Sequence, residues 1–178
     1  MTSGPFCESI RSMRGASDPW ADGLIGVELG GRYKLERVLG RGAFGVVFVG
    51  THTWTERPVA VKVLQQKLAA GNPTMAKRFL REAKAAAALR HRNVVDVLDM
   101  GEAEGTAFIA LELLEGEELS QRLKREGRLE VAEALRILLP VLDALHAVHV
   151  RGMVHRDVKA ENIFLHDAGG ELVPKILD

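Results

Sequence analysis

The chain has 178 residues, 47% of them apolar, with 24 Lys+Arg balanced by 24 Asp+Glu. That is the length of one domain, or of one and the start of a second, and it is enough to bury a core. Zero net charge argues against a nucleic-acid or polybasic membrane binder, and a single cysteine, Cys7, excludes an intrachain disulfide framework and fits a reducing, cytoplasmic setting.

Residues 1 to about 30 carry Gly, Ser, Pro and Asp without apolar periodicity and read as a flexible leader. No apolar run precedes Pro19, so no secretory signal is expected. From Arg32 the pattern changes. Tyr33, Leu35, Arg37, Val38 and Leu39 predict a strand that Gly40–Gly45 interrupts. Val46–Val49 and Val59–Leu64 predict two further strands, joined by a hairpin turn over His52–Pro58. Asn72-Pro73 marks a helix start, with Asn72 as N-cap and Pro73 at the first helical position, and the Ala-rich run to Leu89 continues it. Val94–Leu98 and Ala107–Leu111 predict two more strands around a Gly101–Gly105 turn.

The second half turns helical. Leu119–Arg125 reads as a short helix. Val131, Leu135, Leu138, Leu142 and Leu145 step by four and three along one face of a longer one, with Pro140 inside it predicting a kink. The longest membrane candidate, Ile137–Val150, is interrupted by Pro140, Asp143, His146 and His149, well short of the roughly 20 apolar residues of a span. A polar loop follows Arg151-Gly152, then two short apolar stretches, Ile163–Leu165 and Leu172–Leu177.

Five groups of residues suggest chemistry. Gly40-Arg41-Gly42-Ala43-Phe44-Gly45-Val46-Val47 fits G-x-G-x-x-G-x-V. The glycines alone also fit an ordinary hairpin. A dinucleotide fingerprint would lead into a helix, whereas Val46–Val49 reads as strand. Between two strands, glycines let backbone N–H groups approach phosphates closely. Lys62 sits inside the apolar strand Val59-Ala60-Val61-Lys62-Val63, where an inward ammonium needs an anion. Glu82 lies on the predicted helix and would orient that ammonium if the helix packs on the strand. His155-Arg156-Asp157-Val158-Lys159-Ala160-Glu161-Asn162 places a candidate base, a cation and a metal-binding amide within eight residues. Asp178 closes an apolar stretch as a candidate second Mg²⁺ ligand.

In this order the residues resemble the protein-kinase family, specifically Hanks-type serine/threonine kinases. Lys159, two residues after Asp157, resembles serine/threonine rather than tyrosine kinases. R-F-L-R-E-A and H-R-N-V-V resemble the bacterial branch. The resemblance implies an α+β, kinase-like fold over 31–178, after the leader 1–30. Residues 31–113 would form a lobe of five antiparallel strands and one helix, plus hinge. Residues 114–178 would begin a mainly helical lobe. It implies ATP and Mg²⁺ as cofactors and a protein Ser or Thr as acceptor.

By the same resemblance Lys62 would contact the α/β-phosphates and pair with Glu82. Asp157 would accept the acceptor proton, Lys159 would offset charge on the moving phosphoryl group, and Asn162 and Asp178 would hold Mg²⁺. Gly40, Arg41, Gly42, Ala43, Phe44 and Gly45 would cover the phosphates. Leu111 would be the gatekeeper, Glu112 and Leu114 would bond adenine through backbone, Glu118 would reach the ribose, and Val47, Ala60 and Phe164 would sandwich the base. Arg156 before Asp157 implies control by phosphorylation of an activation segment.

Three departures from the family pattern stand out. Ala160 replaces a common Pro, the His166–Pro174 hairpin is slightly long, and the chain stops at Asp178, ahead of the rest of D-F-G. The expectation is therefore weak or absent activity for these residues alone, and an apolar helix face open to self-association or a partner. Other readings of the same residues are a nucleotide-binding or partner-docking fragment without catalysis, and an incomplete gene product. A membrane anchor beyond residue 178 stays open.

Overall fold

The computed structural model describes residues 18–42, 45–65 and 73–177. Cys7, Asn72, Ala43, Phe44 and Asp178 lie outside them. The chain divides into two compact units. One runs up to Ala88 and takes in Val97–Leu113; the other combines Leu89–Asp96 with Leu114 onward.

The first unit is built on a six-stranded antiparallel sheet in the order β1-β2-β3-β4-β6-β5. Its strands are β1 (Glu28–Leu29), β2 (Tyr33–Gly42), β3 (Gly45–His52), β4 (Pro58–Leu64), β5 (Val97–Ala103) and β6 (Thr106–Glu112). The sixth strand is one more than the sequence suggests: Glu28 and Leu29 pair with Lys34 and Tyr33 at the edge. Residues 18–29, read from the sequence as the end of a flexible leader, thus carry a helical turn and a strand, and residues 1–17 lie outside the described residues. Asp18 caps a one-turn helix α1 (Pro19–Asp22) by accepting a hydrogen bond from the Trp20 amide at 3.1 Å, with Pro at the favoured first position.

Residues directly opposite in an antiparallel pair share a face, and neighbours along a strand alternate. One face of the sheet carries Val46, Phe48, Val61, Val63, Phe108 and Ala110, and α1 and β1 add Ala21 and Leu29 to that core. Leu64, Ile109 and Ala107 form a core with Phe79 and Ala83 of the helix α2 (Pro73–Ala87). Across the sheet, the Tyr33 hydroxyl donates to Asp99 at 2.8 Å. Burial, and then Asp99, push that phenol up to about 12.

The second unit holds α3 (Leu119–Glu126), α4 (Val131–Val150) and an antiparallel sheet of β7 (Gly116–Glu118), β8 (Ile163–Asp167) and β9 (Leu172–Ile176). Ile137, Val141 and Ala144 of α4 pack with Leu119, Ile163, Leu165 and Ile176. The helix runs unbroken through Pro140. The bond removed is the one to the Arg136 carbonyl, and Arg136 is on the exposed side, where water can replace it. The stripe picked out by sequence spacing is largely uncovered: Val131, Leu135, Leu138 and Leu142 are exposed, and Leu145 is partly buried against the core.

Leu89–Asp96 belongs with this unit because its backbone is stitched to β9. The Val95 amide donates to the Ile176 carbonyl at 3.0 Å, and the Ile176 amide to the Asn93 carbonyl at 2.8 Å. The buried Asn93 amide nitrogen donates to the Pro174 carbonyl at 2.7 Å. No helix among the described residues is long and apolar enough to cross a membrane.

A charge cluster fastens β7 to both helices. Arg122 donates to Glu117 at 2.6 Å and to Glu133 at 2.9 Å, and Arg125 also grips Glu117. Hydrogen bonding from Arg125, then Arg122, holds the Glu117 carboxyl down at about 2 against burial, which opposes it. Its folded value is thus below the unfolded one. The stabilisation is complete above about pH 5 and fades as pH falls towards 2. Glu117→Gln is expected to cost about 1–2 kcal/mol at pH 7, with Glu126 and Glu133 still holding the arginines, and almost nothing near pH 2. Urea midpoints across that range check this; a pH-independent difference contradicts it.

Candidate active site

In the first unit the register gathers several of the expected residues. Val47 lies directly opposite Lys62, and Ala60 directly opposite Leu111. Spacing by two then places Val47, Ala60, Lys62 and Leu111 on one face of the sheet. Lys62 is partly buried, and its neighbour Ile109 belongs to the core under α2. Gly40 and Gly42 end β2, and Gly45 opens β3.

Glu82 departs from expectation. Its carboxylate accepts from Arg78 one turn earlier, at 2.9 Å, on the exposed side of α2. Helix α2 turns Phe79 and Ala83 to the sheet, which carries Glu82 to the flank beside its i,i+4 cation. The expected pairing with Lys62 is not among the contacts that Glu82 makes.

In the second unit the loop after α4 folds on itself. Asp157 Oδ2 accepts from Lys159 Nζ at 2.8 Å and from the Asn162 amide nitrogen at 2.9 Å. The same nitrogen also reaches the Asp157 carbonyl at 2.8 Å. A 3₁₀ turn, Ala160–Asn162, brings Asn162 back to Asp157, and the Leu177 amide bonds the Asn162 carbonyl at 2.9 Å. His155 braces the loop from both ring nitrogens: Nδ1 accepts from the Asp157 amide at 3.3 Å, and Nε2 lies 3.0 Å from the Leu177 carbonyl. Arg156 takes a left-handed φ of 65°, a conformation a non-glycine side chain adopts at some cost. Lys159, then Asn162, hold the Asp157 carboxyl below the usual carboxylate range, so it is ionised at neutral pH.

The chemistry of this cluster is specific. One carboxylate oxygen is occupied by two donors, so Oδ1 is the atom left to accept a hydroxyl proton. The Asn162 nitrogen is committed to Asp157, so its amide oxygen is the atom left for a hard cation such as Mg²⁺. A carboxylate partner for that cation would be Asp178, outside the described residues. Among the described residues, no cluster of three or more His, Cys, Asp or Glu is suited to a metal.

On the sheet of this unit, Glu118 and Phe164 are direct cross-strand partners and share one face. The opposite face bears Ile163 and Leu165, which are in the core. Glu118 accepts from the Ser120 hydroxyl at 2.8 Å. Glu112 ends β6 in the first unit, and the buried Leu114 opens the second.

The model of the protein kinase domain matches residues 33–178. The chain belongs to the protein kinase family. Among curated relatives it is 40% identical to the serine/threonine-protein kinase pkn3 of Myxococcus xanthus, over 86% of this chain and 28% of that protein. It is 41% identical to the serine/threonine-protein kinase PknA of Mycobacterium tuberculosis, over 82% of this chain and 35% of that protein. It therefore spans about a third of the length of those kinases.

The solved kinase domain of Mycobacterium tuberculosis PknI superposes with a TM-score of 0.73 at 34% identity, covering 86% of this chain and 61% of that one. The apo form of PpkA-294 superposes with a TM-score of 0.76 at 22% identity, covering 86% and 60%, and shares the fold. These likenesses assign the chain to the Hanks-type serine/threonine kinases of the bacterial branch, with their α+β fold. The family uses ATP and Mg²⁺ and acts on proteins.

The sequence reading missed Asp18 and Asp22, which meet Arg41 of the glycine-rich strand at ion-pair distance. The signal available for them was Asp18-Pro19, an N-cap followed by Pro at the first helical position.

Proposed function

We propose that this chain supplies the nucleotide-binding and proton-accepting parts of a serine/threonine protein kinase, with the first unit as its small lobe and the second as the start of its large lobe. The observation that carries the reading is the cluster Asp157–Lys159–Asn162, closed by hydrogen bonds of 2.8 and 2.9 Å.

In the reaction, a Ser or Thr hydroxyl oxygen bonds the γ-phosphorus of ATP while the bond from that phosphorus to the β–γ bridging oxygen breaks. ADP leaves, and the hydroxyl proton passes to Asp157 Oδ1. Lys159 lies 2.8 Å from the carboxylate and offsets negative charge as the phosphoryl group moves. Lys62 holds the α/β-phosphates, and the glycines at the end of β2 let the backbone approach them. Mg²⁺, when bound, neutralises phosphate charge; Asn162, together with Asp178, would hold it. Val47 and Ala60 would contact the base, and Leu111 would limit its pocket. Glu82 would pair with Lys62 through Oε2, the oxygen that Arg78 does not occupy.

Mg·ATP is expected to raise the thermal midpoint of the wild-type chain, and Lys62→Met to reduce that rise to a small fraction. An equal rise in both proteins removes Lys62 from the site. No rise in either leaves the second reading, a docking module without nucleotide, which the exposed Val131, Leu135, Leu138 and Leu142 favour.

A further inference from the structure

Arg41 stands between Gly40 and Gly42, where the strand has almost no side-chain packing to hold it. Its direct partner in the sheet is Val46, which continues across to Val63 and Phe108. Those residues belong to the core beneath α1 and β1. The Arg41 side chain therefore leaves the strand on the face opposite Lys62. Its destination confirms this. Nη1 lies 3.5 Å from Asp18 Oδ2, and Nη2 lies 3.6 Å from Asp22 Oδ1.

The two carboxylates flank a hydrogen-bonded helical turn. Asp18 and Asp22 are one helical turn apart, and the Asp22 amide donates to the Asp18 carbonyl at 2.9 Å. The second Asp18 oxygen caps α1. Ala21 is fully buried between them, with Trp20 and Leu24 packed on the same core. Arg41 Nη1 is itself buried and has no hydrogen bond among the described residues. The guanidinium is thus held by charge, in partly buried surroundings that screen it less than open water would.

We infer that Arg41 is a positioning residue, drawn back by Asp18 and Asp22, that sets the height of the glycine-rich strand over the phosphates of a nucleoside triphosphate. The inference rests on the nucleotide reading above and assigns a role to the segment from Asp18, which reads as leader in the sequence. The Arg41 side chain acts through the backbone, without touching the nucleotide.

Calorimetric titration of the full chain with Mg·ATP, and separately with adenosine, tests it on wild type, Arg41→Gln, Arg41→Lys, the double variant Asp18→Asn/Asp22→Asn and the triple variant joining that pair with Arg41→Gln. Arg41→Gln and the acidic double variant are each expected to weaken Mg·ATP roughly 3- to 10-fold, the scale of coupling between contacting charged groups. The triple variant is expected to be no weaker than either, Arg41→Lys to recover part of the loss, and adenosine affinity to stay at the wild-type value. A lowered thermal midpoint with unchanged Mg·ATP affinity overturns the inference, because it describes a merely structural contact. Equal weakening of adenosine also overturns it, because the effect would not run through the phosphates. Wild-type chain that binds no Mg·ATP overturns the nucleotide reading and this role with it. Wild-type binding that Arg41→Gln leaves intact overturns this role alone.

Discussion

Asp157→Asn is expected to lower kcat for phosphoryl transfer by roughly 100- to 10,000-fold, the range typical of a lost general base, while Mg·ATP affinity stays close to wild type. The reason lies in how the carboxylate is used. Lys159 and Asn162 both donate to Oδ2, which fixes the group and leaves Oδ1 to take the proton. An amide in its place keeps the shape and can still accept from Lys159, but it carries no negative charge and is a very poor base. Asp157 is more than half exposed, so the substitution removes little buried structure and the fold should tolerate it. Rates and nucleotide affinities measured on the protein as its source expresses it separate the two effects. A kcat within a few-fold of wild type would remove Asp157 from the chemistry. Its carboxyl is held low by Lys159 and then Asn162, so the base is lost only in acid, and the rate should be flat across neutral pH on that limb.

Gly45→Ala is expected to be far more disruptive than Gly42→Ala within the glycine-rich segment. A Cβ at Gly45 would lie 2.1 Å from the Val63 carbonyl oxygen and 3.3 Å from the Leu64 Cα. Both are backbone atoms of β4, so relief requires moving the strand that carries Lys62. Overpacking of this kind costs about 1–3 kcal/mol and occasionally more, and the displacement of β4 should weaken Mg·ATP as well. Gly42→Ala is the contrast. Its Cβ would meet only the Gly45 carbonyl oxygen, at 3.9 Å, so the fold should stay within about 0.5 kcal/mol of wild type. Thermal melts of the two variants decide the matter. Equal midpoints would mean that Gly45 is retained for phosphate approach alone and not for strand packing.

How far the sequence revealed this molecule depends on the range over which each feature is determined. The strands from Tyr33 to Leu64 announce themselves by alternation and β-branching, and the structure forms them there. Asp157, Lys159 and Asn162 lie within six residues, so a single 3₁₀ turn suffices to join them, and local spacing carries that information. The segment from Asp18 to Leu29 was obscure because Trp20, Leu24 and Val27 are spaced as on a helix, yet the helix ends at Asp22 and Glu28–Leu29 forms a strand, with Trp20, Leu24, Val27 and Leu29 all packed on the same core. The placement of Leu89–Asp96 depends on Asn93 and Val95 meeting β9, some 80 residues away in the chain, which no window of sequence displays. Helix α4 is apolar on two sides. Periodicity singles out Val131, Leu135, Leu138 and Leu142, whereas the buried stripe is Ile137, Val141, Ala144 and Val148. Glu82 shows the same limit on a shorter scale: its partner in the structure is Arg78, four residues earlier on the same helix, and spacing alone does not choose between that local cation and Lys62 on the sheet.

The most direct test of the central claim is the identity of the phosphorylated product. The protein from its native source is incubated with γ-labelled ATP, Mg²⁺ and a mixed protein acceptor, and the labelled acceptor is hydrolysed to its phosphoamino acids. Label on phosphoserine and phosphothreonine, absent when Asp157→Asn replaces wild type, is the predicted result. Label on phosphotyrosine, or labelled serine and threonine that survives Asp157→Asn, would contradict it.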